Sequence, residues 1–171
     1  MNAKKTKLIS LLLIITLLAS SCTLNVRIRN HDIPDYLNGP YKVLSIVDGD
    51  TIQVKIDGEK VKVRLIGVDC PESVHPDEDK NTSQGKTASE FTQQLLDGQK
   101  VYLEYDVSIY DQYGRTLAYV YLSDAETMLN RELLINGYAV VMTIQPNVKY
   151  SEEFYQLQKQ AQDQKTGFWA E

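Results

Sequence analysis

The stretch that decides the fold is residues 51–66, which read TIQVKIDGEKVKVRLI. Apolar and polar residues alternate on both sides of Asp57-Gly58, which is the pattern of strands with one face in a core. An Asp-Gly pair between two such runs is typical of a two-residue hairpin turn, because both of its positions favour a positive φ. The stretch therefore predicts an antiparallel hairpin, and counting back from the turn pairs Thr51 with Arg64.

The rest of the chain alternates between strand patterns and helix patterns. Apolar residues recur at every second position in three further stretches, which predict strands at residues 41–47, 101–107 and 117–122. They recur at every third or fourth position in three others, which predict helices at residues 86–96, at residues 128–135 and from residue 151 onward. Periodicity alone supports an α+β fold with mostly antiparallel strands. A chain of 171 residues is long enough for one domain rather than two.

The first 21 residues have the character of an export signal. Three lysines precede an apolar run at residues 8–18, and small residues follow that run. These 11 residues are too few to span a bilayer, which needs about 20. Residues 1–21 are therefore predicted to be a signal peptide.

Cys22 directly follows this segment and is the predicted site of lipidation. The run ASSC at residues 19–22 is similar to the lipobox of bacterial lipoproteins, although lipoboxes favour leucine where Ala19 stands. We expect an exported protein anchored by lipid at the bacterial cell envelope, with plain secretion as the alternative. Residues 22–39 are polar and are predicted to be a tether, which leaves residues 40–171 as the folded domain.

The charge of the chain is acidic, at −5 for the whole sequence. Removing residues 1–21 removes three lysines and no acid, which leaves 15 basic and 23 acidic residues and a formal charge of −8. Affinity for nucleic-acid phosphates comes mostly from lysine and arginine. A nucleic-acid function would therefore depend on a small, local basic site.

Four carboxylates and two arginines stand within the predicted strands or near their ends, and together they are the inventory for metal-assisted attack on a phosphate. They are Asp48, Asp50, Arg64, Asp69, Glu72 and Arg115. His31 and His75 each stand alone, so no spacing resembles a zinc site. Oxygen donors dominate, and the expected ion is a hard cation, Ca²⁺ or Mg²⁺.

The hairpin brings two of these groups close together without deciding which way they face. If Thr51 lies opposite Arg64, then Asp50 lies one position along, opposite Leu65. Strict alternation would put the Asp50 and Arg64 side chains on opposite faces. A one-residue register change, or a bulge near Gly49, would bring them to the same face.

These motifs, in this order, resemble the staphylococcal nuclease (thermonuclease) family. The resemblance is carried by residues 48–51, 63–72 and 111–115, and it extends over about the whole domain, residues 41–169. It implies a five-stranded OB-fold-like Greek-key barrel with three helices packed outside the barrel.

The resemblance implies calcium as the cofactor. It assigns the carboxylates of Asp50 and Asp69 and the backbone carbonyl of Cys70 as metal ligands, with Asp48 and Thr51 as neighbours that support them. Cys70 stands where the staphylococcal pattern has threonine. A carbonyl ligand tolerates this change, because the carbonyl belongs to the backbone.

The resemblance also implies three catalytic residues. Arg64 and Arg115 are assigned to the scissile phosphate, whose oxygens the planar guanidinium fork matches in pairs. Glu72 matches the glutamate that acts as general base or positions the attacking water. The implied activity is calcium-dependent hydrolysis of phosphodiester bonds in DNA and RNA, leaving 3′-phosphate ends. We expect a monomer.

The groups that bind substrate are depleted relative to the staphylococcal pattern. Residues 141–147 hold no tyrosine, where staphylococcal members have tyrosines that pack on a base and contact its phosphate. The lysine-rich loop of those members is here the mostly acidic run at residues 75–80, and Gln112 replaces a phosphate-contacting lysine. We expect competent chemistry, weak substrate binding and a steep loss of activity with salt.

Two other functions fit parts of the pattern. A catalytically weak or inactive lipid-anchored OB-fold module would bind nucleic acid without turnover, and a structural envelope lipoprotein would use the barrel only as a scaffold. The complete set of carboxylates and arginines disfavours both alternatives. The acidic charge further disfavours a protein that only binds nucleic acid.

Overall fold

The computed structural model describes residues 33–73 and 82–170. The predicted signal peptide, Cys22 and most of the predicted tether lie outside the described residues, as does the acidic run at residues 75–80. The predictions for these segments therefore stay predictions.

Seven strands, three α-helices and one short 3₁₀ helix are found in the described part of the chain. The strands are β1 (Asn38–Asp48), β2 (Thr51–Ile56), β3 (Glu59–Leu65), β4 (Gly67–Asp69), β5 (Lys100–Glu104), β6 (Thr116–Tyr121) and β7 (Val140–Met142). The helices are α1 (Ser83–Leu96), α2 (Leu129–Ile135), α3 (Ser151–Asp163) and the 3₁₀ helix Gly167–Trp169.

Five of these strands close into a barrel, in the order β1-β2-β3-β6-β5. Strands β3 and β6 run parallel, and the other neighbouring pairs in the barrel are antiparallel. Strands β4 and β7 form a separate two-stranded antiparallel sheet. The predicted fold class is confirmed: an α+β fold built on a mostly antiparallel five-stranded barrel with three helices.

The β2–β3 hairpin has the predicted register. Asp57 and Gly58 form its turn with φ angles of 49° and 92°, and Thr51 lies opposite Arg64. One face of the hairpin points into the barrel, where its side chains are almost completely buried: Ile52, Val54, Val63 and Leu65. Burial of this face fixes the register, because a slip by one residue would expose all four side chains.

The helices cover the outside of the barrel. Helix α1 begins after Thr82, whose hydroxyl accepts a hydrogen bond from the Gly85 backbone N–H at 2.9 Å and so caps the helix. Helices α2 and α3 pack against each other, with Leu133 of α2 and Phe154 of α3 fully buried. Helix α1 contacts β1 and thereby lies beside the chain reversal that precedes β2.

A buried carboxylate joins the barrel to the start of α3. Glu104 at the end of β5 is 1% exposed. It accepts hydrogen bonds from the hydroxyls of Tyr121 and Tyr150, at 2.8 and 2.9 Å, and pairs with the Lys149 ammonium. A buried charge is tolerated only when it is paired and hydrogen-bonded in this way, so the cluster positions the segment that leads into α3.

Two features differ from the sequence prediction. Strand β1 begins at Asn38, inside the last residues of the predicted tether, and Leu37 before it is already buried. Strands β4 and β7 were not predicted, because three residues are too few to show alternation. Within the described residues, no helix is both long enough and apolar enough to cross a membrane.

Candidate active site

The centre of the site is one guanidinium held between two carboxylates. Arg64 near the end of β3 places Nη1 at 3.2 Å from Oδ2 of Asp50, and Nη2 at 2.7 Å from Oδ1 of Asp69. Asp50 lies in the turn between β1 and β2, and Asp69 is the last residue of β4. The Asp50 and Arg64 side chains, whose facing the sequence left open, therefore come together.

Backbone groups fix the orientation of Arg64 further. Its Nη1 atom donates to the carbonyl oxygens of Val68, at 2.7 Å, and Leu65, at 3.1 Å. A planar fork can make all of these contacts at once, which a single ammonium cannot. The side chain is 12% exposed, so the guanidinium is largely removed from water. Its attraction to the two nearby carboxylates is therefore only weakly screened by solvent.

Asp50 is the most buried carboxylate of the site, at 5% exposed. Its Oδ2 accepts the Cys70 backbone N–H at 2.7 Å, and its Oδ1 accepts the Thr51 hydroxyl at 3.0 Å. Burial raises the pKa of the Asp50 carboxyl, and the nearby Arg64 charge opposes this increase. Thr51 thus contacts a predicted ligand directly, and its role beside a metal stays a prediction.

Cys70 presents its backbone to the site and keeps its thiol in the core. The residue is 6% exposed, and burial followed by the Asp50 charge raises the pKa of the thiol far above its ordinary value. A thiol in this environment is protonated at neutral pH and inert. Gly49 packs against it, since a Cβ on Gly49 would lie 2.9 Å from the Cys70 Sγ.

Glu72 lies in the segment that follows β4, where β1 and α1 hold the described residues in place. Its carbonyl oxygen accepts the Thr82 backbone N–H at 2.9 Å. The next residue, Ser73, donates its hydroxyl to Oδ1 of Asp48 at 2.6 Å and contacts the Ser89 hydroxyl at 2.7 Å. Asp48 therefore anchors the loop that carries Glu72, and the Glu72 side chain is exposed at the surface.

Arg115 approaches the site from the loop that precedes β6. Its Nε atom donates to Oδ2 of Asp111 at 2.6 Å, and its backbone N–H donates to Oδ1 of the same carboxylate at 2.9 Å. Burial alone would raise the pKa of the Asp111 carboxyl. The hydrogen bonds from Arg115 and from the Tyr113 backbone outweigh burial, so this pKa lies below its usual range.

The two arginines line one cavity of about 450 Å³. One set of its lining residues belongs to the loop before β6, among them Tyr110 and Tyr113, and another set follows β7, among them Ile144 and Pro146. Asn147 joins the two sets: its side chain accepts the Ser108 N–H at 2.7 Å and donates to the Ser108 carbonyl at 2.8 Å. A cavity of this size, apolar on its walls and cationic at one side, suits a nucleotide-sized group.

The donor atoms beside Arg64 are all oxygens, and they fit a hard cation. The carboxylates of Asp50 and Asp69 lie on either side of one guanidinium, and the Cys70 backbone adjoins both residues. Across residues 33–73 and 82–170, no cluster of three or more His, Cys, Asp or Glu side chains is arranged to hold a metal ion. The predicted set requires only two such side chains, with a carbonyl as the third ligand.

Comparison with known proteins decides the family. The family model described as "Staphylococcal nuclease homologue" matches residues 62–171 of this chain. The chain belongs to the staphylococcal nuclease family.

Three similar proteins carry nuclease names. A thermonuclease from Staphylococcus hyicus is 48% identical over 133 residues, which are 76% of this chain and 75% of that protein. A thermonuclease from Staphylococcus intermedius is 46% identical over 132 residues, which are 75% of each chain. Endonuclease YncB from Bacillus subtilis is 36% identical over 126 residues, which are 72% of this chain and 58% of that protein.

Several groups that complete this nuclease-family site were not singled out as site residues from the sequence. They are the two serines that contact Asp48, the Asp111 carboxylate that orients Arg115, and Asn147, which joins the cavity walls. Asp111 had a signal, since an aspartate four residues before an arginine in a Gly-containing turn can pair with it. Ser73, Ser89 and Asn147 had none, because their partners lie 16 to 41 residues away in the sequence.

Proposed function

We propose that this protein is a calcium-dependent nuclease that hydrolyses phosphodiester bonds in DNA and RNA and leaves 3′-phosphate ends. Membership of the staphylococcal nuclease family and the names of its thermonuclease and endonuclease relatives support a nuclease function. Calcium as the metal, DNA and RNA as the substrates and 3′-phosphates as the product ends are proposed in addition to this nuclease function.

One observation carries the proposal. Arg64 contacts both Asp50 and Asp69 and lines the same cavity as Arg115. Two preorganised guanidinium groups beside a nucleotide-sized cavity supply the positive charge that a phosphodiester needs as negative charge builds on its oxygens during attack.

The oxygen donors of the site would hold the calcium ion. Asp50 and Asp69 would bind it through their carboxylates and Cys70 through its backbone carbonyl. When bound, calcium supplies positive charge to the phosphate and lowers the pKa of a coordinated water. Asp48 would support this arrangement through the turn at Gly49, whose N–H it accepts at 2.8 Å.

Arg64, Arg115 and Glu72 would act on the substrate. The two arginines would bind the scissile phosphate in pairs of hydrogen bonds, and Asp111 would keep the Arg115 fork aimed at the cavity. Glu72 would accept a proton from the attacking water or position that water. Its place on an exposed loop, fixed through its backbone, leaves the carboxylate accessible to solvent water.

The test is a cleavage assay with purified protein in low salt. Single-stranded DNA, duplex DNA and RNA are incubated with millimolar calcium, with magnesium or with a chelator, and Glu72→Gln is the matched control. We expect cleavage with calcium, none with the chelator, and a loss of about 10²-fold or more in the Glu72 variant. The product ends are then offered to a template-directed polymerase, and 3′-phosphate ends block extension until a phosphatase removes them.

The same assay distinguishes a nuclease from a module that only binds nucleic acid. Folded protein that binds DNA but does not cleave it under any of these conditions would indicate a binding module. Cleavage that persists with the chelator would contradict the calcium requirement while leaving the nuclease function in place. Products that a polymerase extends without phosphatase treatment would contradict the proposed 3′-phosphate ends.

We further propose that the protein is exported and anchored by lipid at Cys22. The support is sequence alone: the lysines and apolar run of residues 1–21, followed by the small residues before Cys22. Expression in a bacterium that processes lipoproteins should give a product that partitions into detergent and carries a mass increase at Cys22. Cys22→Ser should abolish both, and an unmodified soluble product from the original sequence would favour plain secretion.

A further inference from the structure

Five exposed lysines lie on neighbouring strands of the barrel. Lys42 of β1 lies opposite Lys100 of β5 on one side and opposite Lys55 of β2 on the other, and Lys55 lies opposite Lys60 of β3. Residues directly opposite each other in adjacent strands point to the same side of the sheet. These four side chains therefore form a row across four strands, all of them exposed.

A second line of positive charge runs along β3 and ends in the candidate active site. Lys60, Lys62 and Arg64 occupy alternate positions of the strand, so they share its outer face. The intervening side chains point inward: Val61 packs against the core, and Val63 is 0% exposed. Alternate residues of a strand are about 6.7 Å apart, so Lys60 lies about 13 Å along the strand from Arg64.

Within the part of the chain that the structure describes, carboxylates do not form ion pairs with the lysines of this surface. Among residues 33–73 and 82–170, no ion pair involves any of the five lysines. The polar residues between them, Ser45 and Gln53, are uncharged and hydrogen-bond to each other. The carboxylate nearest in sequence, Glu59, lies opposite Ile56, and by alternation it points to the other face from Lys60.

The stability of the sheet does not explain such a surface. Like charges directly opposite each other in adjacent strands destabilise a sheet, yet here two such pairs meet at Lys42 and a third joins Lys55 and Lys60. The whole chain carries a charge of −5. A concentrated basic surface in an acidic protein, continuous with an arginine of the active site, indicates an anionic ligand that spans both.

We propose that the face formed by Lys55, Lys60 and Lys62, together with Lys42 and Lys100, is a track for the phosphate backbone of a single-stranded nucleic-acid substrate. The inference rests on the proposed nuclease function and extends it from the scissile phosphate to the adjoining nucleotides. With the scissile phosphate at Arg64, the strand runs on one side over Lys62 and Lys60 toward the hairpin turn. On the other side it enters the cavity that Arg115 lines.

The track accounts for how an acidic chain without the expected lysine at position 112 can still hold its substrate. An anionic lipid surface would also be attracted to lysines. The continuity of the line with Arg64, and its regular step of about 6.7 Å, favour a flexible polyanion with evenly spaced phosphates.

The test compares two double variants with equal loss of charge. Lys60→Gln with Lys62→Gln removes two positions of the track, and Lys159→Gln with Lys165→Gln removes two exposed lysines from α3 and the turn that follows it. Each protein is assayed on a single-stranded oligonucleotide of about 20 nucleotides and on a dinucleotide, whose single phosphodiester does not reach the track. KM for the oligonucleotide is measured over a range of salt concentrations.

We expect the track variant to raise KM for the oligonucleotide by about fivefold or more, with kcat and the rate on the dinucleotide unchanged. The slope of log KM against log salt should fall by about 1.4, which corresponds to two single-strand phosphate contacts. The α3 variant should behave like the original protein. An unchanged KM and slope in the track variant, or an equal change in both variants, would overturn the inference.

If the original protein cleaves neither substrate, the proposed nuclease function fails, and the track fails with it. If it cleaves both, the track variant keeps its KM, and only that variant loses binding to phosphatidylcholine–phosphatidylglycerol vesicles, then the face binds a membrane and the inference is wrong.

Discussion

Asp50, Arg64 and Asp69 form a contact that the sequence predicted in part. Counting back from the Asp-Gly turn gave the correct partner of Arg64, because a two-residue hairpin fixes its register. The facing of Asp50 could not be predicted. This residue lies in the turn between β1 and β2, where strand alternation no longer dictates the direction of its side chain.

The Asp111 carboxylate should stabilise the folded protein in a way that depends on pH. Its pKa is lowered in the folded protein, so its stabilising effect is complete above its unfolded pKa of about 3.9 and is lost as the pH falls through its lower folded pKa. Asp111→Asn should reduce the free energy of unfolding by about 1–3 kcal/mol at pH 7. Urea unfolding at several pH values checks this, and the difference between the two proteins should shrink below about pH 4.

The same substitution should also reduce turnover, because Arg115 would lose the carboxylate that orients it. A difference in stability that does not change between pH 7 and pH 3 would contradict the assigned role of the Asp111 charge.

Among the secondary-structure elements, the long ones were predictable and the short ones were not. Strands with one face in the core show alternation over five residues or more, and the helices show apolar residues at every third or fourth position. Strands β4 and β7, three residues each, depend on each other for their hydrogen bonds, and they pair across more than 70 residues of chain. No local pattern encodes such a pairing, although it positions Asp69.

Gly85, in the first turn of helix α1, packs closely against the backbone of Glu72. A Cβ on Gly85 would lie 2.1 Å from the carbonyl oxygen of Glu72, a backbone atom that cannot move without moving the loop. Gly85→Ala should therefore displace Glu72 and lower kcat by about tenfold or more. It should also lower the melting temperature, even though alanine favours helix over glycine by about 1 kcal/mol.

Thermal melting and steady-state kinetics with calcium check this prediction, and Gln84→Ala at the exposed neighbouring position is the control. A Gly85→Ala protein that melts at a higher temperature and turns over normally would show that the close approach to Glu72 has no consequence.

The whole chain is acidic, whereas the lysine surface that leads to the candidate active site is basic. Net charge follows from composition, and from it the sequence predicts that a nucleic-acid function would need basic residues concentrated in one local site. Where they concentrate depends on the register between strands that are distant in the sequence, such as β1 and β5. The location of the lysine row could therefore be found only in the folded barrel.

Calcium gives a prediction for the molecule as a whole. An ion that binds only the folded state stabilises it, by about 2.7 kcal/mol when its concentration is 100 times its Kd. Calcium should therefore raise the melting temperature, and a chelator should reverse the change. Asp50→Asn should abolish most of this increase, whereas Asp163→Asn at the exposed end of α3 should keep it.

Equal calcium shifts in the Asp50 and Asp163 variants would place the ion elsewhere. Both variants are compared with their own chelated samples, so a general loss of stability in Asp50→Asn does not affect the comparison.

The central claim is that Arg64, Arg115 and the adjoining carboxylates form a site that hydrolyses phosphodiesters, and Arg115→Ala tests it most directly. The Arg115 side chain is one-third exposed, so its removal should leave the fold intact, as melting curves would verify. We predict that calcium-dependent cleavage of single-stranded DNA falls by about 10³-fold in this variant, with a fall in melting temperature no larger than that of Asp111→Asn. Cleavage at the original rate by a folded Arg115→Ala protein would contradict the account.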